Sequence, residues 1–181
     1  MTEQDILDLI RQDPWMMNII NMASALNLPQ WIIGAGFVRN KVWDHLSGNK
    51  KEVVDTRDVD LVYFDPQGND QKADEQLSAE LRDKTGIVWE VVNEFYAHAW
   101  NGLPPYISTE DAISQWPETV TAIGVTLDEG GELKLFAPYG INDLINFIVR
   151  PSPKFKGGLE KVKERALQKK WKEKWKNIRY I

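Results

Sequence analysis

The chain has 181 residues, 43% of them apolar and 27% charged, with a formal net charge of −5; this suits one domain, or a domain with a terminal extension, and allows a sizeable core. With no cysteine it excludes disulfides, thiolate zinc sites and cysteine nucleophiles, and with only His45 and His98 it excludes a three-histidine zinc site. No run of eighteen apolar residues occurs and the acidic Met-Thr-Glu-Gln-Asp start is unlike a signal peptide, so no membrane association is expected and the cytoplasm is the expected compartment.

Residues 3–12 read as a helix with Ile6, Leu7 and Ile10 on one face. Asp13-Pro14 is a cap followed by proline at the first helical position, and the second helix runs to about Leu26. Pro29 ends it, and Trp31–Ile33 is a short buried strand. Gly34 and Gly36 make a turn. Phe37–Leu46 is helical, with Val38, Val42 and Leu46 four apart, and Gly48 stops it. Asn49–Arg57 reads as a charged loop and Asp58–Phe64 as a strand. Asp65-Pro-Gln-Gly is a turn.

Asp70–Lys84 is a helix closed by Gly86. Ile87–Val92 is a strand whose only charge is Glu90. Asn93 caps a short helix through Trp100, and an extended loop runs from Asn101 to Tyr106. Ser108-Thr109-Glu110-Asp111 starts a helix that ends by Pro117. Thr119–Leu127 and Glu132–Phe136 flank Asp-Glu-Gly-Gly as a hairpin. Residues 141–149 are predicted helical. Pro151 and Pro153 break the chain, then Gly157-Gly158. A last helix from Leu159 carries Val162, Ala166, Trp171, Trp175 and Ile178 on one stripe. The order predicts an α/β (α+β) fold: a mixed sheet flanked by helices, with a C-terminal basic helix.

The charge is divided. Residues 150–181 hold twelve Lys/Arg and three Glu, a net +9, against −14 for the rest. A basic tail on an acidic body fits a polyanion-binding arm or a tail docked on its own body. The apolar stripe favours docking, so the expected division is a domain over 1–153 and a helix over 154–181 packed on it.

Asp58 and Asp60 carry the sharpest chemical signal. In a strand, residues i and i+2 share a face. Two adjacent carboxylates resist joint ionisation unless a cation sits between them. With oxygen ligands only, that cation is expected to be Mg²⁺ or Mn²⁺. The segment is no EF-hand loop, because Val62 and Tyr63 occupy positions that need an oxygen ligand and a glycine. The glycine turn is no dinucleotide fingerprint, because Arg39 stands at the third glycine, and no Gly-Lys-Ser/Thr follows to make a P-loop. A glycine turn, a helix start and, 22 residues after Gly36, an Asp pair fit metal-dependent nucleotidyl transfer. In that reading Gly34, Ala35 and Gly36 let backbone amides approach a triphosphate, and Arg39 adds a charged donor. Glu90, alone in an apolar strand, is the candidate third carboxylate, with Glu94 and Asp55 as second choices.

Gly34-Ala-Gly36-Phe-Val-Arg39-Asn40, Asp58-Val-Asp60-Leu-Val and Trp89-Glu90-Val together resemble the DNA polymerase β-like nucleotidyltransferase superfamily. The glycine segment is similar to the Gly-Gly-x-Val-Arg-Asp start of tRNA nucleotidyltransferases and bacterial poly(A) polymerases. Trp43-Asp44, Asp60–Asp65, Trp89–Asn93, His98, Trp100–Gly102, Thr109–Ala112, Trp116–Thr119 and Ala137–Gly140 extend the likeness to a small bacterial nucleotidyltransferase family whose acceptor the motifs do not name. The resemblance covers roughly residues 15–178. It implies a polymerase β-like fold, a nucleoside triphosphate substrate, a metal on Asp58, Asp60 and Glu90, and nucleotide contacts at Gly34, Ala35, Gly36, Arg39 and Asn40. Ala35 departs from the usual Gly or Ser, Asn40 from an Asp, and Glu90 from the frequent Asp. The acceptor stays open among RNA, protein and a small molecule. The alternative is an inactive nucleotide- or RNA-binding protein of the same fold.

Other residues carry two readings. Trp100, Asn101, Pro104, Pro105 and Tyr106 wall a base pocket or form a loop packed over the core. His98 is a structural histidine or a phosphate ligand or acid. Glu110 and Asp111 cap a helix or serve an acceptor, and the Lys169–Lys176 run is a solvated helix face or frames a triphosphate.

Overall fold

The computed structural model describes residues 1–49, 58–68, 70–100 and 102–181. The loop expected over Asn49–Arg57, and with it Asp55, lies almost wholly outside the described residues, as does Asn101. Helix α1 (Glu3–Arg11) starts in a capping box, with Thr2 and Asp5 exchanging side-chain and backbone hydrogen bonds. Asp13 caps α2 (Pro14–Ala25) through the amides of Trp15 and Met16. Then come β1 (Ile32–Gly34), α3 (Gly36–Leu46), β2 (Asp58–Tyr63), α4 (Gln71–Thr85), β3 (Val88–Asn93), α5 (Glu94–Trp100) and α6 (Thr109–Ser114). The hairpin is β4 (Gly124–Leu127) and β5 (Leu133–Phe136), followed by α7 (Asn142–Ile145), β6 (Ile148–Val149), α8 (Gly158–Gln168), α9 (Trp171–Lys174) and β7 (Arg179–Tyr180).

Five strands form one mixed sheet in the order β3-β2-β1-β4-β5. β1 is antiparallel to both β2 and β4, β5 is antiparallel to β4, and β2 runs parallel to β3. The parallel pair needs a crossover, and α4 supplies it. Tyr63 anchors that crossover by donating to Asp74 Oδ1 at 2.6 Å. One sheet face is dry: Ile33, Val59, Leu61, Trp89, Val91 and Val125 pack with Ile6, Ile10, Ile19, Phe37 and Trp43 from the helices.

Three sequence expectations change. The strand expected from Thr119 begins only at Gly124, because Thr121 and Ala122 both donate backbone N–H bonds to the Glu118 carbonyl and turn the chain. The helix expected over 141–149 is one turn of α7, then Phe147 at φ 54°, then β6. The single last helix is instead α8, a left-handed residue at Lys170 (φ 54°, ψ 33°), α9 and β7, which pairs parallel with β6. The cause is Trp43. Its ring meets Phe147 at 5.8 Å, Trp171 at 5.8 Å and Trp175 at 5.0 Å. Trp43 Nε1 also donates to the Leu144 carbonyl, and Trp175 Nε1 to Asp44 Oδ1. Burying three indoles together is worth more than one continuous helical turn. No helix among the described residues is long and apolar enough to cross a membrane.

Candidate active site

The parallel β2–β3 pair sets Asp60 opposite Glu90 and Val62 opposite Val92. Side chains of register partners project to one face, so Asp58, Asp60 and Glu90 stand on the sheet face away from the dry core. Burial, together with the charges of Asp58 and Glu90 and against those of Lys169 and Arg39, pushes the Asp60 carboxyl up to about 7. Among the described residues no three Asp, Glu, His or Cys side chains converge closely enough to hold a metal ion. The three carboxylates are therefore neighbours by register and by charge, not a closed ligand cage.

The glycine turn faces them. Gly34 ends β1 and Gly36 begins α3, with Ala35 between at φ 54°, ψ −118°. A positive φ is costly for a residue with a Cβ. The Ala35 amide is fixed by its hydrogen bond to the Ile123 carbonyl at 2.9 Å. Gly34 has no alternative: a Cβ there would lie 2.6 Å from Trp116 Cη2, because the indole lies on the turn. No side chain caps α3, which leaves its first amides to other partners.

Arg39, one turn into α3, is buried. Its Nε and Nη2 donate to Asn40 Oδ1, and Nη1 donates to Thr121 Oγ1 at 3.0 Å. Burial lowers its pKa to about 10, opposed by the nearby charges of Glu118, Asp60 and Asp58. It stays cationic at neutral pH while bonded to neutral groups, so its charge is uncancelled by direct ion pairing in those bonds. Asn40, where the resemblance implies Asp, is the acceptor that orients it.

A cavity of about 360 Å³ gathers these groups: Ala35, Gly36, Arg39, Asn40, Asp58, Asp60 and Glu90, with Thr121 and Trp116. The tail closes it with Arg165, Lys169 and Trp171. Arg165 is held by Glu118, a residue with no exposed surface, through Nε–Oε1 at 2.9 Å. Trp116 and Glu118 stood in the sequence only as part of the Trp116–Thr119 likeness, with no role of their own, and Arg165 carried no signal beyond its spacing. It lies three residues after Val162 and four before Lys169, beside the apolar stripe of α8, which turns it toward the body of the domain. Other candidates fall elsewhere: the N–H of Asp111 takes the Ser108 cap bond and its carboxylate pairs with Lys154, while His98 Nδ1 contacts the Phe95 carbonyl at 2.9 Å.

A nucleotidyltransferase family model matches residues 21–180. A protein solved by NMR and described as revealing a CCA-adding enzyme head domain is 35% identical, with a TM-score of 0.88 over 99% of this chain and 96% of its own. A CCA-adding enzyme solved in complex with CTP is 16% identical and shares the fold alone, at a TM-score of 0.50, over 96% of this chain. This chain spans about half the length of that enzyme, 48%. None of the curated proteins is a significant match. With the glycine turn, the paired strands and a match over most of its length, the chain belongs to the nucleotidyltransferase family.

Proposed function

We propose that the protein transfers a nucleoside monophosphate from a nucleoside triphosphate to an acceptor hydroxyl, with a divalent metal, Mg²⁺ or Mn²⁺, on Asp58 and Asp60. The observation that carries this is the register pairing of Asp60 with Glu90 in a cavity that also holds the glycine turn. The donor set fits the metal. Magnesium is commonly held by one or two carboxylates plus substrate phosphates, not by a protein cage. The raised Asp60 pKa marks a place short of positive charge, which a divalent ion supplies. Bound there, the ion neutralises charge on the reacting phosphate oxygens.

The residues of the chain do the rest. Amides at the start of α3, with Ala35 and Gly36 close by, receive the triphosphate oxygens. Arg39 and Lys169 add charge around them, and Arg39 is held rigid by Asn40 and Thr121. Glu90, exposed beside Asp60, takes the proton of the attacking hydroxyl, or joins the metal as a third ligand. The hydroxyl oxygen bonds to the α-phosphorus, and the P–O bond to pyrophosphate breaks with its electron pair on the leaving group. The test is incubation of the full chain with each labelled triphosphate, Mg²⁺ and a cell extract. The expected result is label transfer that stops on chelation of the metal.

A further inference from the structure

Past Glu90 the same sheet face opens into a second cavity of about 640 Å³. It shares Asp60, Glu90, Trp116 and Arg165 with the smaller cavity, but its lining lacks Gly36, Arg39 and Asp58. Val62 and Val92, register partners on β2 and β3, make its apolar floor. Glu94, at the first position of α5, lines it although only 4% exposed. Burial pushes its carboxyl up to about 7, and a hydrogen bond with Trp116 opposes that rise. Lys161 and Arg165, four apart on α8, line it as well, while Val162 and Ala166 of the same helix enter the core.

With Asp58, Asp60 and Glu90 serving the transfer, Glu94 is left without a role in it, and it does not line the smaller cavity. A carboxyl sunk in a cavity wall is costly unless a partner donates to it. The size, and an apolar floor rimmed by Glu94 and by Lys154, Lys156, Lys161 and Arg165, suit a small molecule that carries charge. In-line displacement brings the attacking oxygen to the α-phosphorus opposite the departing pyrophosphate. If the phosphates lie over the glycine turn, the attacker comes from the other side of the carboxylates, where this cavity adjoins Glu90.

We infer that the larger cavity is the acceptor site and takes a small anionic alcohol. Its apolar or ring-bearing body lies on Val62 and Val92, a hydroxyl or amino group donates to Glu94, its anionic group meets Lys161 and Arg165, and the reacting hydroxyl faces Glu90. The inference rests on the nucleotidyl-transfer reading. In the step, the acceptor O–H gives its proton to Glu90, its oxygen bonds to the α-phosphorus, and pyrophosphate leaves with the electron pair of the broken P–O bond.

The test uses the full chain, Mg²⁺ and triphosphates radiolabelled at the α-phosphorus. A cell extract is split by ultrafiltration into a low-mass filtrate and a macromolecular retentate. Label is expected in a filtrate compound that resists ribonuclease. Val92→Phe, which fills the cavity from β3, should lower that labelling at least about tenfold while keeping the metal-dependent rise in Tm with triphosphate. Glu94→Gln keeps an acceptor for Trp116 and should raise the KM for filtrate about tenfold or more, with kcat changed less. Label confined to RNA or protein in the retentate overturns the inference. Wild-type filtrate labelling by either folded variant, checked by circular dichroism, overturns it too. So does loss of the triphosphate Tm rise in both variants, which would give the cavity to the nucleotide. If the wild type labels neither fraction, the transfer reading itself fails and the acceptor site falls with it.

Discussion

The Arg39 guanidinium lies over the indole of Trp171, its Cζ 4.2 Å from the ring centroid. Arg39 belongs to the helix that follows the glycine turn, and Trp171 opens α9 in the basic tail. A planar cation on an indole face is stabilised without being neutralised. The tail thus helps to set the charge that faces the carboxylates, and it supplies Arg165 and Lys169 to the same cavity.

We therefore propose that residues 154–181 fold as part of the domain. Trp171→Ala should cost about 3–5 kcal/mol in denaturant unfolding, the usual range for emptying a buried aromatic site. Trp171→Leu should recover part of that stability yet leave triphosphate affinity reduced, because Leu offers Arg39 no ring. Titration of the triphosphate against both variants checks this. A chain lacking 154–181 that melts like the full protein would refute the proposal.

Asp60→Asn should abolish divalent-dependent transfer and leave the fold intact. Folded Asp60 holds its proton up to about pH 7, against 3.8 for the ordinary carboxyl. Between those values the folded state binds more protons than the unfolded chain, so its contribution weakens the metal-free protein as pH rises from about 4 to about 7. Metal-free Asp60→Asn should melt above the wild type at pH 8, with the gap closing toward pH 4. Adding Mg²⁺ at pH 8 should raise the Tm of the wild type more than that of the variant.

Glu90→Gln should lower turnover by about tenfold to a hundredfold, the scale of a lost general base. Triphosphate affinity should change less, because the glycine turn and Arg39 remain. Steady-state kinetics with an identified acceptor, alongside equilibrium binding of the triphosphate, separates the two. Normal turnover in the variant would remove the role from Glu90 and move it to one of the second choices, Glu94 or Asp55.

Ala35→Gly should stabilise the domain by about 1 kcal/mol. The strain of a Cβ at φ 54° costs about 1–3 kcal/mol, and the added freedom of glycine in the unfolded chain returns about 0.5–1 kcal/mol of that. Thermal unfolding measures it. A lower Tm would mean that the methyl group contributes packing that outweighs the strain.

Local sequence determined whatever short-range chemistry governs. Capping residues Thr2, Asp13, Asp70 and Ser108 each begin a helix where their side chains reach the next amides. Period-two alternation put Asp58 and Asp60 on one face, and isolation in an apolar run singled out Glu90. The glycine turn was legible from its composition, but its demands are not local: the positive φ falls on Ala35, and what requires glycine at position 34 is the distant Trp116 indole, which a Cβ would meet at 2.6 Å.

Only the tertiary structure decided which distant segments meet those residues. The sequence does not specify that β2 and β3 pair with Asp60 beside Glu90, because register is a property of two strands at once. Nor does it place Arg165 on Glu118, or bend the tail at Lys170 so that Trp171 meets Arg39. The helical stripe in the tail was a true local preference. The aromatic cluster around Trp43 overrode it, because long-range burial of indoles outweighs the propensity of a few exposed lysines to continue a helix.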